Sequence, residues 1–311
     1  MDPEGLLSKS GLQHVIVAGG TGLVGRPLVQ ALVDGGTPVT VLTRSPRSLN
    51  LPVGATAHGW AELPALLEGA GAIINLAGEG IADKRWTTAR KRAIGDSRTE
   101  ATARLVTAMG ACARPPAALV NASAIGYYIP KGETSVDESA APGSGFLAEV
   151  CQAWEAEAQK AATLGVRVAR IRIGVVLARE GGALPKMALP VRWFQGCKLG
   201  SGTQGLSWIH LDDLVAMLME AACNPAWEGA FNATAPEPLS NEAFTRLLAQ
   251  RLHRPLLPVP GIVTTAATKL LLGEMAEALL LQGAFVQPAH ALALGFPYRF
   301  PTAQAALEDL L

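Results

Sequence analysis

The first half of the chain alternates short apolar runs with longer segments of helical periodicity. The runs predict strands at 14–18, 39–43, 72–76, 119–123 and 166–171, separated by helices at 23–34, 87–113 and 146–164. In the first helix, Val24, Leu28 and Leu32 fall on one face, and Gly35 with Gly36 supplies a stop signal. This alternation is typical of βαβ units and predicts an α/β fold, a doubly wound parallel sheet covered on both faces.

From about residue 181 the alternation gives way to a stretch rich in glycine and proline. A short strand is predicted at 208–211, followed by a helix that Asp212 or Asp213 caps and that runs to about Cys223. The rest of the chain is mostly helical. We therefore predict two units, listed with their bounds: a larger α/β domain over 12–180, completed by about 205–235, and a smaller, mostly helical substrate lobe from 181–204 and 236–311.

A glycine motif stands between the first predicted strand and the first predicted helix. Gly19, Gly22 and Gly25 have the spacing G-x-x-G-x-x-G. Glycines let the backbone turn tightly and approach a pyrophosphate, whose charge is met by N–H groups at the helix N-terminus. The alternative is a glycine-rich turn without a ligand, which the flanking strand and amphipathic helix disfavour. The motif therefore predicts a dinucleotide site of the Rossmann type.

The end of the second predicted strand indicates which dinucleotide is bound. An Asp or Glu at this place binds the adenine ribose 2′-hydroxyl of NAD. Residues 43–47 instead read Thr-Arg-Ser-Pro-Arg, without a carboxylate. The guanidinium of Arg44 would pair with a 2′-phosphate, so we predict NADP(H) rather than NAD(H). The alternative is that Arg44 is a solvated charge at a strand end.

Together these motifs resemble the extended short-chain dehydrogenase/reductase superfamily, and within it the atypical branch whose members are called "epimerase family protein". The segments that carry the resemblance over nearly the whole chain include GGTGLVG (19–25), LTR (42–44), NLAGEGI (75–81), NASAIGYY (121–128) and GSGTQGLSWIHLDDL (200–214). The resemblance implies an NADP(H)-binding Rossmann domain and a short helical C-terminal domain. It implies cofactor contacts at Thr21, Gly22, Leu23, Val24, Thr43, Arg44, Leu76, Ala77, Arg98 and Val176. To these the motifs add Gly19, Gly25 and, as a small residue that leaves space for the adenosine, Gly78.

Active members of the superfamily use a serine at a strand end and a Tyr-x-x-x-Lys pair on the next helix. The lysine lowers the pKa of the tyrosine, so that the phenol exchanges a proton while hydride moves. By the resemblance, Ser123 occupies the serine position. Leu147 and Cys151 stand where the tyrosine and lysine would be, and neither can perform that chemistry. The usual dyad is therefore predicted to be absent.

A literal Tyr-x-x-x-Lys occurs at Tyr127 and Lys131, but Pro130 within it opposes a regular helical turn. Two interpretations of this loop stay open. Either Tyr127 or Tyr128 reaches the nicotinamide pocket and serves, with Ser123, as a substitute acid, or both rings pack under the substrate lobe.

Several other polar residues are assigned less specific roles. His210 is interpreted as architectural rather than catalytic. Glu155 with Glu157, and the arginine-rich run 85–92, are interpreted as exposed helix faces. Asn75 helps to leave space for the cofactor, satisfies buried backbone groups, or does both. In the glycine-rich stretch, anion binding and plain solvation both stay open for Lys186, Arg192 and Lys198.

Composition excludes several classes of protein. Lys plus Arg and Asp plus Glu both number 26, which disfavours nucleic-acid scaffolds and polybasic membrane binders. The four cysteines contain no CxxC pair, so no metal site and no disulfide frame are predicted. Residues 261–281 are apolar but interrupted by charges, which indicates a buried or amphipathic helix rather than a membrane span. With no apolar leader at the N-terminus, a cytoplasmic location is expected.

Two functions follow from these features. The first is an NADP(H)-dependent oxidoreductase or epimerase-like enzyme for a small molecule, anionic or nucleotide-linked. The second is a non-catalytic protein that senses NADP(H) or binds a partner. Neither the substrate nor the oligomeric state is indicated by the sequence.

Overall fold

The structure is a computed structural model, and it describes residues 14–46, 49–128, 132 and 134–311. Three predicted features lie partly outside the described residues: the start of the α/β domain at 12–13, the arginine at 47, and the Pro130 and Lys131 half of the literal Tyr-x-x-x-Lys.

Seven parallel strands form the main sheet; the sequence predicted a parallel sheet and five of its strands. In chain order they are β1 (Val15–Ala18), β2 (Val39–Thr43), β3 (Ala55–Gly59), β4 (Ala72–Asn75), β5 (Ala118–Ala124), β6 (Arg167–Ile173) and β7 (Gly229–Ala233). Their spatial order is β3-β2-β1-β4-β5-β6-β7. The chain leaves β1 toward one edge and returns to the other side of β1 at β4, so the order reverses between these two strands. Ligands bind at such switch points in doubly wound sheets.

Two strands of this sheet were not predicted as such. The β3 sequence, Ala-Thr-Ala-His-Gly, is too weakly apolar to stand out, because β3 is an edge strand and only half-buried. At the other edge, β7 lies within the segment predicted to complete the domain, but its short Gly-Ala-Phe-Asn-Ala run does not have a strand signature.

Helices cover both faces of the sheet. The α-helices of five residues or more are α1 (Gly25–Asp34), α2 (Leu63–Leu67), α3 (Thr88–Gly110), α4 (Phe146–Gln159), α5 (Leu184–Arg192), α6 (Leu211–Cys223), α7 (Asn241–Arg251), α8 (Gly261–Leu272), α9 (Ala289–Ala293) and α10 (Ala303–Leu310). One apolar core lies between the sheet and helices α1 and α6, and a second lies between the opposite face and helices α2, α3 and α4. The predicted α/β sandwich is therefore confirmed.

The start of α6 differs from the prediction. His210, rather than Asp212 or Asp213, is the N-cap: its Nδ1 accepts the Asp212 backbone N–H at 3.1 Å. An imidazole nitrogen does here what a carboxylate or hydroxyl oxygen does at most N-caps. The sequence pattern missed this because histidine is an uncommon cap.

A third apolar core joins α5, α7 and α10 around the buried rings of Trp208 and Phe244. Three short strand pairs tie this region to the main domain: Val175–Leu177 with Trp208–His210, Gly205–Leu206 with Leu239–Ser240, and Ser135–Val136 with Phe285–Val286. The C-terminal region is mostly helical, as predicted. The residue at which the chain divides into two domains stays a prediction.

The apolar segment 261–281 is not one helix. It breaks at Gly273, whose φ is +60°, after the end of α8. Helix α8 turns Thr264 and Thr268 inward and leaves Ile262 and Leu270 exposed, so it is amphipathic with its polar side toward the protein. In the part of the chain that the structure describes, no helix combines the length and apolar character needed to cross a membrane.

Candidate functional site

The predicted glycine motif forms a tight backbone loop at the switch point between β1 and β4. Gly19 has φ of +82°, and a Cβ built on it would lie 2.7 Å from the backbone oxygen of Leu76. A Cβ on Gly25 would lie 2.2 Å from the backbone oxygen of Gly19. Both distances are far shorter than a carbon–oxygen contact allows. Side chains are therefore excluded here, and the loop lies directly on the end of β4.

The loop leaves backbone donors free at the start of α1. Gly22 donates its N–H to the Gly19 carbonyl at 3.1 Å, whereas among the described residues the amides of Leu23 and Val24 have no hydrogen-bond acceptor. Helix α1 has no acidic residue in its first turn and no side-chain cap. Free amides and an uncompensated positive helix end attract an anion, so this loop fits the diphosphate of a dinucleotide.

A second loop faces the glycine motif across an open groove. Built Cβ atoms on Gly181 and Gly182 would lie 3.2 and 3.0 Å from the side-chain methyl carbons of Leu23, and the Gly182 position is 3.3 Å from the Val176 carbonyl. Leu23 and the Val176 carbonyl, at two predicted cofactor positions that are distant in sequence, thus both lie beside Gly182. The groove is lined by Thr21, Gly22, Leu23, Arg26, Pro27, Ala178, Arg179, Glu180 and Leu211.

The predicted specificity residue, Arg44, is exposed directly after β2. Beside it, Thr43 Oγ1 accepts the backbone N–H of Ser45 at 3.2 Å, which turns the chain at the strand end. Neither the groove nor a described neighbour holds the Arg44 guanidinium, which leaves it available to an anionic group. Glu62, which follows the neighbouring strand β3, is occupied by His58 at 2.9 Å and by the backbone N–H of Gly59.

Leu76 and Ala77 continue the strand β4 beneath the glycine loop, and Gly78 follows them against Arg98. A Cβ on Gly78 would lie 3.1 Å from Arg98 Cγ, so this glycine lets the arginine lie flat on the backbone. Arg98 also packs over the ring of Trp154, with its Cζ 5.2 Å from the ring centroid. Burial lowers the pKa of Arg98. Gly78 and Arg98 therefore pack together directly after β4.

Asn75, one residue before Leu76, is fully buried and serves the core. Its amide donates to Asn121 Oδ1 at 2.7 Å and to Thr102 Oγ1 at 2.9 Å, and its own oxygen accepts the Ala77 N–H at 3.2 Å. Trp154 donates to the same threonine oxygen at 3.0 Å. Of the two interpretations of Asn75, the structure supports satisfaction of buried polar groups.

Ser123 lies at the end of β5, as predicted, but its hydroxyl is already engaged. It donates to Glu155 Oε1 at 2.7 Å, and both side chains are buried. Arg172 donates to the same carboxylate twice, from Nε to Oε1 at 2.8 Å and from Nη2 to Oε2 at 2.9 Å. Because Ser123 and Arg172 are paired in register on β5 and β6, this two-pronged contact ties both strands to α4.

The interpretation of Glu155 as part of an exposed helix face is therefore wrong. Its side chain is 4 % exposed, because the α4 face that carries Cys151 and Glu155 packs on the sheet. Glu157, two residues on, is half-buried and pairs with Lys160 at 2.6 Å. Sequence reasoning missed the Glu155–Arg172 pair and Asn232, which accepts from Tyr128. A signal existed for the pair: Arg170 and Arg172 alternate with apolar residues in a mostly buried strand, and a buried arginine requires an acidic partner.

Tyr128 belongs to the same buried cluster. Its hydroxyl donates to Asn232 Oδ1 at 2.7 Å and accepts from Arg172 Nη1 at 2.8 Å. Burial raises the pKa of Tyr128 to about 12, although Arg172 acts in the opposite direction. A phenol that is buried and held on both sides is poorly suited to exchange a proton. Its ring packs with Val136, Ala284 and Val286, which favours the interpretation in which Tyr128 lies under the lobe.

Tyr127 differs from its neighbour. It is half-buried, and its hydroxyl makes no hydrogen bond to any residue that the structure describes. The Arg172 guanidinium lies over its ring, with Cζ 3.5 Å from the centroid, and Tyr128 packs edge-on at 5.3 Å between centroids. The ring is therefore fixed while the hydroxyl is free.

Leu147 and Cys151 face the end of β5 from α4. A Cβ on Gly126 would lie 3.2 Å from Leu147 Cβ, and Cys151 Sγ lies 3.6 Å from the Ala124 carbonyl. Burial, followed by the nearby Glu155 carboxylate, raises the pKa of Cys151 to about 11. The thiol thus stays neutral at ordinary pH and carries no charge toward the cleft. That these two residues stand at the usual dyad positions stays a prediction.

The other polar residues singled out in the sequence either pair with a neighbouring side chain or are exposed. Besides capping α6, His210 lies 3.4 Å from Asp309 Oδ2, as its architectural interpretation expects. Lys198 pairs with Glu242 at 3.2 Å, while Lys186 and Arg192 are exposed. No cluster of three or more His, Cys, Asp or Glu side chains suited to a metal ion occurs among the described residues.

The run 85–92 is not a plain exposed face. Arg85 donates to the Leu270 carbonyl at 3.3 Å, and Lys91 pairs with Glu274 at 2.5 Å. Arg90 pairs with Glu79 in the loop after β4. The contacts of Arg85 and Lys91 thus connect the start of α3 to the C-terminal region.

Comparison with known proteins identifies the family. Residues 15–233, which contain the whole seven-stranded sheet, match the NAD dependent epimerase/dehydratase family, and residues 263–310 match a domain of unknown function. The chain belongs to the NAD dependent epimerase/dehydratase family. The resemblance to extended short-chain dehydrogenases/reductases is thereby confirmed.

Individual relatives agree over nearly the full length. The chain is 41% identical over 314 residues to the epimerase family protein SDR39U1 homolog, chloroplastic, of Arabidopsis thaliana, covering 97% of this chain and 88% of the relative. The crystal structure of human epimerase family protein SDR39U1 with NADPH is 33% identical with a TM-score of 0.85, covering 96% of this chain and 99% of that one. A nucleoside-diphosphate sugar epimerase from Corynebacterium glutamicum is 31% identical with a TM-score of 0.78, covering 99% of this chain and 61% of that one.

Proposed function

We propose that this protein binds NADP(H) in the groove at the switch point and uses it in an oxidoreductase or epimerase-like reaction on a small anionic or nucleotide-linked substrate. The observation that carries the proposal is the glycine loop, where built Cβ atoms on Gly19 and Gly25 collide with backbone while the amides of Leu23 and Val24 stay free. Such a backbone surface fits a diphosphate and little else. The human relative with NADPH, 33% identical over nearly its whole length, supports the same cofactor.

The residues proposed to hold the cofactor are divided among three tasks. The backbone of Gly19, Thr21, Gly22, Leu23, Val24 and Gly25 binds the diphosphate; Thr43 and Arg44 bind the adenosine 2′-phosphate; and Leu76, Ala77, Gly78, Arg98 and Val176 enclose the rest. The choice of NADP(H) over NAD(H) depends on Arg44, because an exposed guanidinium pairs with a phosphate and a carboxylate would repel it.

The chemistry proposed for the reacting end uses Ser123 and Tyr127. A bound reduced nicotinamide supplies the hydride that reduces a substrate carbonyl. Tyr127 donates its free phenolic proton to the carbonyl oxygen as that oxygen gains negative charge, and water returns the proton afterwards. Ser123 donates its hydroxyl hydrogen bond to Glu155 Oε1 at 2.7 Å, so its oxygen can accept a hydrogen bond from a substrate hydroxyl.

One observation favours a second function, an NADP(H)-sensing protein without turnover. The hydroxyl protons of Tyr128 and Ser123 are both donated to neighbours, and Cys151 is buried and neutral, so Tyr127 is the one hydroxyl of this described cluster whose proton has no acceptor. A protein that binds the cofactor and changes its contacts with a partner would need no more than this.

Cofactor choice is tested by titrating the protein with NADPH and with NADH, following nicotinamide fluorescence. We expect NADPH to bind about tenfold more weakly to Arg44→Ala, the loss of one charge-assisted contact, with NADH affinity within about twofold of wild type. Arg246→Ala, an exposed arginine on α7 paired with Glu242 at 3.1 Å, is the matched control and should change neither. Equal affinity of wild type for both cofactors would contradict the NADP(H) assignment.

Turnover is tested with NADPH or NADP⁺ and a panel of carbonyl compounds, alcohols and nucleotide sugars. Absorbance at the nicotinamide band reports net oxidation or reduction, and product chromatography reports epimerisation, in which the cofactor is restored. We expect turnover that falls about 100-fold in Tyr127→Phe, the usual contribution of a general acid. Tight NADPH binding with no conversion of any compound favours the sensing function.

A further inference from the structure

We propose that Arg172, clamped by Glu155, is a positioning residue: its guanidinium fixes the ring of Tyr127 and sets a positive charge beside the phenol. This is the task that the lysine performs in a Tyr-x-x-x-Lys pair, supplied here from strand β6 instead of from the following helix. The proton-donating role of Tyr127 rests on the proposed function, whereas the coupling between Arg172 and Tyr127 does not.

Each of the three nitrogens of the Arg172 guanidinium donates a hydrogen bond. Nε and Nη2 donate to the two oxygens of Glu155 at 2.8 and 2.9 Å, and Nη1 donates to the Tyr128 hydroxyl at 2.8 Å. The Arg172 side chain is 4 % exposed. All three nitrogens of the guanidinium therefore make hydrogen bonds along its edge, and the Tyr127 ring lies over its flat face, with Cζ 3.5 Å from the ring centroid.

A lysine could not replace Arg172 in this arrangement. A guanidinium is planar, so it can present donors along its edge and a stacking surface on its face at once. An ammonium is a point charge without a face, and a single lysine would lose either the carboxylate or the ring. The geometry therefore depends on arginine specifically, which a role limited to charge balance would not require.

The charges around Tyr127 come from several elements. On the positive side, Arg172 is in direct contact. On the negative side, Glu155 of α4 contacts Arg172 and also lies 3.7 Å from Arg170. Glu138 also approaches the cluster, because it accepts the Asn232 N–H at 2.8 Å. The titratable groups around the cluster are therefore Arg170 and Arg172 of β6, Cys151 and Glu155 of α4, Tyr128 and Glu138. Among these described groups Arg172 is the only cation that contacts the Tyr127 ring, so it is placed to stabilise negative charge that develops on the phenol.

Nitration by tetranitromethane, which attacks the phenolate form of tyrosine, tests the coupling without any substrate. The chain has three tyrosines. The hydroxyl groups of Tyr128 and Tyr298 are buried, so Tyr127 should react first, and peptide mass spectrometry identifies the nitrated residue. We expect Arg172→Gln to slow nitration of Tyr127 about tenfold, the effect of losing one adjacent opposite charge.

The matched control is Arg170→Gln, which removes an arginine two residues away that also approaches Glu155 but does not contact Tyr127. Nitration should then stay within about twofold of wild type. If Arg172 merely packs against the ring, its loss uncovers Tyr127, and nitration becomes faster or stays unchanged; either result overturns the proposal. Circular dichroism establishes that each variant is folded.

Because Arg172→Gln changes a buried residue and can prevent folding, the coupling is also tested by a measurement on the wild-type protein. In the wild-type protein Tyr127 should be nitrated at least as fast as N-acetyltyrosinamide at the same pH, although its ring is partly covered. Slower nitration contradicts the proposal even if no Arg172 variant folds. Bound NADPH should slow nitration of Tyr127. If it does not, Tyr127 does not lie in the proposed cofactor site, but the result on the coupling between Arg172 and Tyr127 is unaffected.

A kinetic cycle applies where a substrate is turned over. Arg172→Lys should lower kcat about tenfold with KM and the Kd for NADPH unchanged, and it should cause no further loss in a Tyr127→Phe background, because the two residues act as one unit. Additive losses overturn the positioning role. If wild type turns over no compound, the proposed function fails, and the nitration result alone decides whether Arg172 acts on Tyr127.

Discussion

The glycine loop and the cluster around Arg172 lie at the same edge of the sheet, yet they are constructed in opposite ways. The loop is made of seven consecutive residues that present backbone N–H groups, and a side chain at Gly19 or Gly25 would collide with that backbone. The cluster is made of side chains from β5, α4, β6 and β7, which are far apart in the chain and meet only in the fold. A site made of local backbone is visible as a motif, whereas a site made of distant side chains is not.

The two regions also differ in how they are stabilised. The loop leaves amides free in an open groove, so its donors remain solvated until a ligand arrives. The Glu155–Arg172 pair is buried, and burial of two charges costs several kcal/mol before their attraction and hydrogen bonds offset it. The cluster is therefore sensitive to the loss of a single partner, and the loop is sensitive to added volume.

The largest effect is expected from removing the carboxylate of the cluster. Glu155→Gln leaves the Arg172 guanidinium buried without its counter-charge, and we expect the free energy of unfolding to fall by about 3 kcal/mol. Urea unfolding followed by circular dichroism measures it. Glu157→Gln, the same change two residues along α4, breaks only the pair with Lys160 and should cost less than about 0.5 kcal/mol. Similar losses in both variants would remove the distinction between the two regions.

A smaller but more local effect is expected from adding one carbon to the loop. Gly25→Ala places a Cβ 2.2 Å from the Gly19 carbonyl oxygen, so the backbone must move, and we expect NADPH to bind at least about 100-fold more weakly, roughly 2.7 kcal/mol. Fluorescence titration measures the affinity.

The matched control for Gly25→Ala is Gly95→Ala in α3. There the new Cβ meets only Val150 Cγ2, at an ordinary 3.8 Å. The affinity for NADPH should not change, and stability should rise by roughly 0.5–1 kcal/mol, because alanine favours helix over glycine. Unchanged NADPH binding by Gly25→Ala would show that the backbone of this loop does not hold the cofactor.

The smallest effect concerns His210, which lies in neither region and extends the comparison to pH. Burial lowers its pKa, outweighing the attraction of Asp212 and Asp309. A folded-state pKa below that of the unfolded chain means that stability is present above pH 6.5 and is lost as the pH falls through the folded value. Protonation also removes the Nδ1 acceptor that caps α6.

We therefore expect the free energy of unfolding to fall between pH 7 and pH 5. His210 should contribute up to about 1.4 kcal/mol per pH unit to this fall. His210→Asn keeps a capping oxygen without a titrating group and should flatten this part of the curve. His253→Asn, an exposed histidine at φ +54° that asparagine tolerates, should leave the curve unchanged. Identical slopes in wild type and His210→Asn would refute the assignment.

The sequence predicted the elements whose signal is local. The parallel sheet, its flanking helices and the glycine loop follow from short apolar runs, 3.6-residue periodicity and glycine spacing, and each occupies the predicted place with small shifts at the ends. Strand β3 escaped because an edge strand buries too little to need strong apolar residues. The cap at His210 escaped because a capping imidazole is recognised only by its contact.

The candidate site divides along the same line. Ser123 was found by its position at a strand end. Its contact with Glu155, 32 residues later, and the contact of Glu155 with Arg172, 17 residues after that, have no signal in the sequence next to Ser123. The spacing of Glu155 and Glu157 on α4 fits an exposed helix face equally well until the packing angle of α4 on β5 and β6 is known.

By itself, then, the amino-acid order determined the layers of the fold and the backbone loop suited to a diphosphate, because periodicity and glycine placement act within a few residues along the chain. Only the tertiary structure decided which of two neighbouring tyrosines is held and which is free, and which acid neutralises Arg172. Those outcomes depend on hydrogen bonds and desolvation between groups that packing brings within 3 Å, and no local pattern encodes that distance.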